Sequence, residues 1–536
     1  MTSLPLVDAP KAASTTLARV RSIVLIRPHM LIPRYSFTGL TVPPLGLAYV
    51  AASLENRGHR VTLIDAVGEA IEQHALMGKD YVVHGLSTEQ ILDRVPPETE
   101  VVGISCMFSH EFTLYRALIE AVRKRFPHVR LIAGGEHVSA LPEETFRQCP
   151  GLDVAVIGEG EETMLDLAAG DFSTASLTAM PGIAWRGDDG VRFNPRRARV
   201  RDLDAFPTPA WHLVPLANYW KYGMGLGVNR GRSMPMLATR GCPYQCTFCS
   251  NPLMWTTRWN ARNPQAVLDE MQSYIAKYGV QNFDFYDLTA IVKKTWIVEF
   301  AQKILASGAK FTYQLPSGTR SEAIDQEVAR LLYQSGCRNM TYAPESGSLK
   351  TLVRIKKKVK IGSMLASVRA CRREGLNIKF NIIIGFPDET YGHLAATFGF
   401  ILRMAFAGVH DVTIQPFSAY PGTELFDELR TKKKIGQLDD DYFLTLADYS
   451  DLSKSVSWSD HLSKRDILVF RAVGMISFYI ASYLARPWRF FRLVKNLAQG
   501  RQESRLERAL SDLFQRKQAL AADVVRGPGK IQPPYI

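Results

Sequence analysis

The chain has 536 residues and a formal net charge of +13 at pH 7; 46% of its residues are hydrophobic and 22% are charged. This length is too great for one ordinary domain and predicts two or three, while the composition excludes a disordered chain. The basic residues lie in separate short runs without a nucleic-acid-binding motif, so no nucleic-acid partner is expected. An anionic substrate, anionic cofactors or a membrane surface explain the charge equally well.

The seven cysteines are too few for a disulfide framework in a chain of this size. Three of them lie in one short loop, and we expect the other four to be reduced residues of the core or near the site. These are Cys106, Cys149, Cys337 and Cys371. The segment Met1–Ala18 is polar and has no apolar core of a signal peptide. We therefore expect a cytoplasmic protein with a flexible tail over residues 1–20.

Residues 21–181 alternate strand-like runs with helical spacing. The predicted strands are Ile23–Ile26, Val61–Ile64, Val101–Ser105, Leu131–Ala133 and Val154–Ile157. Apolar residues at helical spacing predict helices over Leu45–Asn56 and around Leu114–Val122. The polar stretch Glu69–Glu98 is interpreted as an insertion with one helix near Thr88–Arg94. This alternation predicts a doubly wound (Rossmann-like) parallel sheet.

Ligands of such sheets bind beyond the carboxyl ends of the strands. This rule selects three segments, Ser105–Ser109, Gly134–His137 and Gly158–Glu161. The candidate binding residues in them are Ser105, Met107, Ser109, Gly134, Gly135, Glu136, His137, Gly158, Glu159, Gly160 and Glu161. The glycines would allow the backbone to approach a ligand closely. Each glycine pair is equally compatible with a tight turn between a strand and a helix.

Residues 182–231 are rich in proline and arginine and are interpreted as a linker packed between two domains. Its aromatic residues include Trp211, Tyr219, Trp220 and Tyr222. These side chains are expected to pack at the domain interface, and the lining of an interdomain cavity is the alternative.

The most informative segment is Cys242-Pro-Tyr-Gln-Cys246-Thr-Phe-Cys249, which follows an apolar strand-like run. Three thiolates in one tight loop can hold three corners of a [4Fe–4S] cluster and leave the fourth iron without a protein ligand. The alternative is a structural zinc site. Zinc normally takes four ligands, and no fourth Cys or His lies near this loop in the sequence.

Residues 232–454 again alternate strands and helices. The predicted strands are Met234–Thr239, Phe283–Asp287, Phe311–Leu315, Met340–Ala343, Ile378–Ile384 and Val412–Phe417. Amphipathic stretches such as Val267–Tyr278 and Met364–Glu374 lie between them. Six such units predict a partial (βα)6 barrel whose carboxyl ends face the site.

The cysteine loop, with Phe248 before its last cysteine, resembles that of radical S-adenosylmethionine (SAM) enzymes. The segments Val42–Tyr49 and Gly158–Glu161 resemble those of family members with a cobalamin-binding domain. The resemblance implies three cofactors: a [4Fe–4S] cluster held by Cys242, Cys246 and Cys249, SAM, and cobalamin as methylcobalamin. The Asp-x-His-x-x-Gly motif of other B12 proteins is missing. His137 is therefore not assigned as a cobalt ligand, and a structural role in its turn is the alternative.

The same resemblance implies which residues contact SAM: Phe248, Arg320, Glu345, Ser346 and Gly385. Arg320 would pair with the SAM carboxylate, with a surface salt bridge as the alternative. Glu345 would accept hydrogen bonds from ribose, with a helix-starting carboxylate as the alternative. The adenine-supporting segment departs from the family at Asn381 and Asp388. The run Lys356–Lys358 is interpreted as a solvated basic face.

Residues 455–536 predict a helical C-terminal region. Ile467–Leu484 is apolar but contains Arg471, which indicates a buried or amphipathic helix. Beyond it, Arg486, Arg489, Arg492 and Lys495 alternate with aromatic residues. Packing against the barrel is the preferred interpretation, and peripheral contact with an anionic membrane on the cytoplasmic face is the alternative. The last residues, Gly527–Ile536, are expected to be disordered.

The resemblance implies a cobalamin-dependent radical SAM C-methyltransferase that acts on an unactivated carbon through a 5′-deoxyadenosyl radical. A B12-dependent oxidative cyclase or ring-rearranging enzyme is the first alternative, and a non-catalytic B12 sensor is a remote one. The expected partners are a small-molecule substrate, either hydrophobic or a natural-product intermediate, and an electron donor such as flavodoxin or ferredoxin.

Overall fold

A computed structural model of the protein describes residues 6–7, 19–36 and 41–512. Two α/β units follow one another along the chain, and a set of helices packs against the second. The segment Gly527–Ile536 and most of the predicted tail over residues 1–20 lie outside the described residues.

The first unit is built from short strands with helices between them. Its strands are β1 (Leu6–Val7), β2 (Ser22–Arg27), β3 (Met30–Pro33), β4 (Arg60–Asp65), β5 (His74–Met77), β6 (Tyr81–His84), β7 (Val101–Ser105), β8 (Arg130–Gly134), β9 (Val154–Val156), β10 (Ile183–Gly187), β11 (Gly190–Phe193) and β12 (Arg196–Arg197). Its helices are α1 (Leu45–Glu55), α2 (Ala66–Glu69), α3 (Thr88–Leu92), α4 (Phe112–Arg125), α5 (Glu136–Ala140), α6 (Pro142–Gln148), α7 (Glu161–Ala169) and α8 (Thr174–Ala179).

The main sheet of this unit has the order β11-β10-β9-β8-β7-β2-β4. The five strands from β9 to β4 are parallel, and their chain order across the sheet is 2-1-3-4-5. Buried runs such as Ile23–Ile26 suit strands that are covered by helices on both faces. The doubly wound sheet is therefore as predicted, and its strand order reverses between β2 and β7.

Two features of the first unit differ from the prediction. The hairpin β10–β11 pairs antiparallel with β9 and extends the main sheet, although it falls within the predicted linker 182–231. The inserted segment Glu69–Glu98 contains the predicted helix α3 but also β5 and β6, which form an antiparallel sheet with β3. These strands are short and only partly buried, so their apolar alternation is weak.

The second unit begins after helix α9 (Leu216–Lys221). Its strands are β13 (Ser233–Met236), β14 (Thr239–Arg240), β15 (Asn260–Ala261), β16 (Asn282–Phe285), β17 (Thr312–Thr319), β18 (Cys337–Glu345), β19 (Asn377–Ile384) and β20 (Asp411–Pro416). Its helices are α10 (Asn251–Trp255), α11 (Pro264–Tyr278), α12 (Lys294–Ser307), α13 (Gln326–Gln334), α14 (Leu349–Arg354), α15 (Ile361–Glu374) and α16 (Tyr391–Ala407).

The barrel sheet has the order β13-β16-β17-β18-β19-β20 with every neighbouring pair parallel. Strand order therefore follows chain order, as the six predicted strands require. Helices between successive parallel strands cover the outer face and leave the inner face to line the barrel. The predicted strand Met234–Thr239 divides into β13 and β14, and β14 pairs with β15 instead of the barrel.

The two units share an interface made of both ionic and aromatic contacts. Arg240 of the barrel unit lies 3.1 Å from Glu159 and 2.5 Å from Glu161 of the first unit. On another side, the Phe443 ring packs edge-on against His137, with ring centroids 5.6 Å apart. One hydrophobic cluster includes residues of both units, so their strand ends are held facing each other.

The C-terminal helices are α17 (Glu424–Thr431), α18 (Asp440–Thr445), α19 (Lys464–Ala485) and α20 (Trp488–Ala498). In the described part of the chain, α19 is the one helix long and apolar enough to cross a bilayer, and 33% of its apolar window is buried. Its buried Arg471 donates to Asp451 O at 2.8 Å and Tyr449 O at 2.9 Å. One side of α19 is thus fixed to the barrel.

Two of the four basic residues after α19 cap a neighbouring helix. Arg486 Nη2 donates to Phe406 O at 2.8 Å, and Arg489 Nη1 donates to Val409 O at 2.9 Å. These carbonyls lie at the C-terminal end of α16, where the last turn leaves its acceptors unpaired. The periodic arginines of this stretch are therefore not one continuous solvated face.

Candidate functional site

The cysteine loop begins directly after β14, which ends at Arg240. Gly241 has φ +83°, and a Cβ at this position would lie 2.3 Å from Arg258 O, so the turn into the loop requires glycine. Thr247 N donates to Ile355 O at 3.2 Å and thereby ties the loop to the segment after α14. The first strand of the barrel thus delivers the loop to the carboxyl ends of the strands.

Cys242, Cys246 and Cys249 are half-buried free thiols. Burial raises the pKa of all three, and that of Cys249 to about 12. The charges of Lys357 and Arg320 act in the opposite direction on Cys242 and Cys246. Metal binding would displace the protons of these thiols, because the thiolate is the ligand.

The donor set fits a [4Fe–4S] cluster better than a zinc ion. Over residues 19–36 and 41–512, no three His, Cys, Asp or Glu side chains are arranged to hold a single metal ion. In a cubane, each of the three thiolates binds a different iron, so the sulfurs need not converge on one point. The three cysteines nevertheless lie in one tight loop, in which Cys249 N donates to Cys246 O at 3.1 Å.

Glu345 lies beside this volume at the end of β18. A bulge in the pairing of β18 with β19 precedes it, and its φ of +67° is rare for a residue with a side chain. Its carboxylate accepts a hydrogen bond from Lys357 Nζ at 2.9 Å. Burial raises the pKa of Glu345 in spite of this cation. Glu345 is thus turned toward the cysteine loop, where the resemblance expects a ribose acceptor.

The interpretation of Lys356–Lys358 as a solvated face is wrong for Lys357. The Lys357 side chain is 14% exposed, and its Nζ lies 5.9 Å from the centre of the Phe248 ring. Lys356, by contrast, pairs with Glu424 and stays half exposed. The inward direction of Lys357 could not be predicted from the sequence, because only the turn after α14 determines which lysine of the run points inward.

Arg320 follows β17 and also points toward the cysteine loop. Its guanidinium lies 4.1 Å from the centre of the Tyr244 ring, which belongs to the loop. It also pairs with Glu322 at 3.0 Å and donates to Lys358 O. Within the described residues its Nε is buried without a hydrogen-bond partner. The salt bridge of the alternative interpretation is present, and the Nε donor remains for a ligand.

Gly385 ends β19 with φ +83°, and a Cβ there would lie 2.7 Å from Ile467 Cδ1. Its N–H donates to Glu389 Oε2 at 2.6 Å, and burial raises the pKa of Glu389 to about 7. Asp388, where the family motif falls, instead pairs with Arg354 at the surface. The inward carboxylate is therefore Glu389, one residue beyond the motif position.

Ser346 and Phe248 are placed differently with respect to a ligand. Ser346 is fully buried, and its hydroxyl contacts Thr397 Oγ1 at 3.0 Å and accepts from Ser348 N at 3.1 Å. This hydroxyl supports the turn after Glu345. The Phe248 ring lies 5.8 Å from the ring of Phe386, next to Gly385, and so joins the cysteine loop to the end of β19.

The strand ends of the first unit face the same volume. Met107 and Phe108 after β7 are exposed. Gly135 after β8 has φ +126°, and a Cβ there would lie 2.4 Å from Cys106 O. Ser105, Gly134, Gly158 and Gly160 are half-buried at this edge. This exposed edge of apolar side chains and glycine backbone fits the flat face of a corrin ring.

The predicted residues His137 and Ser109 are not available to a ligand. His137 is fully buried, its ring stacks on Phe112 with centroids 4.1 Å apart, and its Nδ1 lies 2.9 Å from Ser109 Oγ. Burial lowers the pKa of His137 to about 3, so its ring is neutral. The structural alternative for His137 is the one that the packing supports.

Glu159 and Glu161 also have another role than the predicted one. Both carboxylates are buried against Arg240, and Glu159 accepts a further hydrogen bond from Val200 N at 3.1 Å. They join the two units. Glu136 remains near the site, because its carboxylate accepts a hydrogen bond from Ser250, the residue after Cys249.

Sequence reasoning missed a group of polar residues inside the barrel. Lys379 and Asn381 alternate along β19 with the buried Ile378, Phe380 and Ile382, so they face the opposite, inner side. In the part of the chain that the structure describes, Asn381 Oδ1 and the Tyr286 hydroxyl have no hydrogen-bond partner. Burial lowers the pKa of Lys379 to about 7. These polar groups line the inner side of the barrel sheet, which we call the polar chamber.

Comparison with known families assigns both units. The B12 binding domain family matches residues 38–168, and the radical SAM superfamily matches residues 236–401. The first match contains the carboxyl ends of β7, β8 and β9, and the second begins at the last residue of β13 and includes the cysteine loop.

Several curated proteins are similar over most of this chain. An uncharacterized methyltransferase of Pyrococcus horikoshii, PH0819, is 28% identical over 76% of this chain and 83% of its own length. Cytidylyl-2-hydroxyethylphosphonate methyltransferase of Streptomyces wedmorensis is 26% identical over 76% and 82%. Anaerobic magnesium-protoporphyrin IX monomethyl ester cyclase of Cereibacter sphaeroides is 25% identical over 75% and 63%.

A solved structure shares the fold over most of this chain. The cobalamin-dependent SAM radical enzyme OxsB, with aqua-cobalamin and SAM bound, superposes with a TM-score of 0.65 at 14% identity. The match covers 94% of this chain and 76% of that one, and at this identity it establishes the fold. The two family matches show that the chain joins a B12 binding domain to a radical SAM domain, and the cofactors of these domains are cobalamin, a [4Fe–4S] cluster and SAM.

Proposed function

We propose that the protein is a cobalamin-dependent radical SAM methyltransferase that methylates an unactivated carbon of a small molecule. The observation that carries this proposal is the hydrogen bond from Ser250 to Glu136. It joins the residue after the last cluster cysteine to the strand end next to Gly135. A methyl donor on that edge and a radical generated at the cysteine loop would therefore act on the same small volume.

When bound, the cluster supplies the electron that cleaves SAM to a 5′-deoxyadenosyl radical, and cobalamin supplies the methyl group. The chain holds these groups and orients them. Cys242, Cys246 and Cys249 bind the cluster as thiolates. Arg320 binds the SAM carboxylate through its unpaired Nε, and Glu345 accepts hydrogen bonds from the ribose hydroxyls.

We further propose that the substrate enters the polar chamber of the barrel. Tyr286 and Asn381 offer an unpaired hydroxyl and an unpaired amide oxygen there. Lys379, whose pKa is lowered to about 7 by burial, would gain a proton beside an acidic substrate group. These three residues are our candidates for the contacts that select the substrate.

The test is a product analysis with reconstituted enzyme, reductant and SAM. A methyltransferase yields S-adenosylhomocysteine and 5′-deoxyadenosine in a roughly equal ratio, because one SAM renews the methyl donor and another is cleaved. 5′-Deoxyadenosine without S-adenosylhomocysteine would contradict methylation. Flavodoxin or ferredoxin, the electron donors that we propose, are tested as the reductant in the same assay.

A B12-dependent oxidative cyclase is the second candidate. The observation in its favour is the similarity to the anaerobic cyclase of Cereibacter sphaeroides, of which this chain covers 63%. Both candidates use the same cofactors, so the ratio of the two SAM products separates them. We propose a cytoplasmic location for either activity.

A further inference from the structure

We propose that α19 and α20 form a docking surface for the headgroup region of an anionic phospholipid bilayer. The surface is defined by eight exposed apolar residues of the two helices. These are Val469, Val473, Ile476, Ile480, Leu484, Trp488, Phe491 and Val494. The proposal concerns where the protein sits and is independent of the reaction that it catalyses.

The apolar residues form one stripe along α19. Val469, Val473, Ile476, Ile480 and Leu484 recur at spacings of four, three, four and four residues, which places them on a single face. Within the described chain this face is uncovered: Ile476 is 59% exposed and Leu484 is 78% exposed. A continuous exposed face of this kind is unusual for a soluble protein and marks an interaction site.

The opposite face of α19 is fixed to the barrel, so the helix cannot cross a bilayer. Gly474 approaches Ile414 of β20 so closely that a Cβ there would lie 2.6 Å from its Cδ1. Arg471 on the same side donates to three backbone carbonyls of the segment 449–454. The helix therefore lies along a membrane surface instead of spanning it.

Helix α20 continues the surface with the residue types of a membrane interface. Trp488, Phe491 and Val494 share one side at spacings of three, and Trp488 is 61% exposed and Phe491 69% exposed. Tryptophan is enriched at the headgroup level, because its ring is apolar and its N–H is polar. Arg492 and Lys495 follow on the adjacent side of the helix and are exposed.

Charge identifies the partner. Between residues 464 and 502 the sequence has eight basic residues and one acidic residue, Asp466. Asp466 caps its own helix by accepting from Ser463 N at 2.7 Å. The exposed basic residues are Lys464, Arg465, Arg492, Lys495 and Arg501, of which Arg492 pairs with Glu503 at 3.2 Å. In a two-fold dimer this surface would meet itself and oppose like charges, whereas an anionic membrane neutralises them.

The test is cosedimentation of the cofactor-loaded full chain with vesicles. We expect roughly tenfold or greater binding to vesicles with one third phosphatidylglycerol than to phosphatidylcholine alone, and weaker binding in high salt. The double variant Ile476→Glu/Ile480→Glu should bind the phosphatidylglycerol vesicles more than about tenfold more weakly than the original chain. The double variant Lys495→Gln/Arg501→Gln should bind the same vesicles roughly fivefold more weakly for each charge removed.

The matched control is Leu305→Glu, which places the same charge on an exposed leucine at the end of α12. It should bind vesicles like the original chain. Cluster absorbance and Tm verify folding, and Trp488→Ala/Phe491→Ala provides a second apolar variant if the first loses its cluster. Equal binding to both vesicle types, or no sedimentation of the original chain, would overturn the proposal.

Light scattering tests whether a second copy of the chain, instead of a membrane, covers this surface. The expected mass of the protein without vesicles is 60.0 kDa. Twice this mass, reduced to a single copy by Ile476→Glu/Ile480→Glu, would show that a second chain covers the surface and would overturn the proposal.

Discussion

Lys357 Nζ lies 2.9 Å from Glu345 Oε1, and the two side chains are 14% and 7% exposed at the edge of the cysteine loop. Burial alone would lower the pKa of Lys357, but the charges of Glu345 and Cys246 and the hydrogen bond to Glu345 together outweigh it and raise that pKa. Lys357 acts against the rise that burial causes in the pKa of Glu345, which favours its carboxylate as an acceptor, and it places a cation beside Cys246. Removing either residue would leave the charge of the other buried without a partner.

We expect Lys357→Gln to weaken SAM binding by about tenfold, because Glu345 then becomes protonated or turns away from the ribose. Equilibrium dialysis of SAM against the reconstituted protein measures this loss. Lys356→Gln is the matched control, since Lys356 pairs with Glu424 at the surface. An equal SAM affinity of Lys357→Gln and the original chain would contradict the role of the pair.

Cys246→Ala should remove one of three cluster ligands and abolish formation of 5′-deoxyadenosine. Iron and sulfide analysis should show most of the cluster lost, whereas the cobalamin spectrum is retained, because the corrin-facing edge belongs to the other unit. Cys149→Ala provides the comparison, since Cys149 is buried in the first unit. SAM cleavage by Cys246→Ala would overturn the assignment of the cluster loop.

His137→Ala should lower stability by about 3 kcal/mol, because it leaves a cavity between Phe112 and Phe443. The fall in Tm measures this effect. The electron paramagnetic resonance spectrum of bound cob(II)alamin should be the same with and without His137. A nitrogen coupling present only in the original chain would instead make His137 a cobalt ligand.

Arg240→Met should loosen the contact between the two units. The guanidinium is buried against Glu159 and Glu161 and lies 5.2 Å from the centre of the Tyr49 ring. Its loss leaves Glu161 buried without a cation and leaves Glu159 with only Arg199, 3.6 Å away, at a cost of about 3 kcal/mol. Faster limited proteolysis between the units and a lower Tm are expected. Arg258→Met, at an exposed position, should change neither.

Glu389 should make the protein less stable as pH rises. Its pKa is raised from 4.5 in the unfolded chain to about 7 by burial. The favourable contribution of the protonated form is therefore full below about pH 4.5 and is lost as pH rises through about 7. Glu389→Gln keeps an acceptor for Gly385 N and removes this titration.

We expect the difference in Tm between Glu389→Gln and the original chain to grow in favour of the variant as pH rises from about 5 to 8. The corresponding change in the free energy of unfolding is at most about 3 kcal/mol. Asp388→Asn, at the exposed neighbouring residue, is the control. A Tm difference that does not change with pH would show that Glu389 is ionised throughout.

Local sequence determined the strands and the cysteine loop. The apolar runs of the five parallel strands and of the six barrel strands are continuous enough to be recognised without a partner. The cluster ligands are equally local, because all three cysteines lie within eight residues. Strand ends could be assigned to the site for the same reason, since parallel topology fixes which end of each strand is open.

Only the tertiary structure decided which polar side chains at those ends face the site. Glu159 and Glu161 resemble ligand-binding carboxylates in the sequence but pair with Arg240, which is about eighty residues away and was not predicted to contact them. Lys357 is one of three adjacent lysines, and its direction depends on the turn after α14. Charge pairing and burial act across the fold, so they cannot be read from neighbouring residues along the chain.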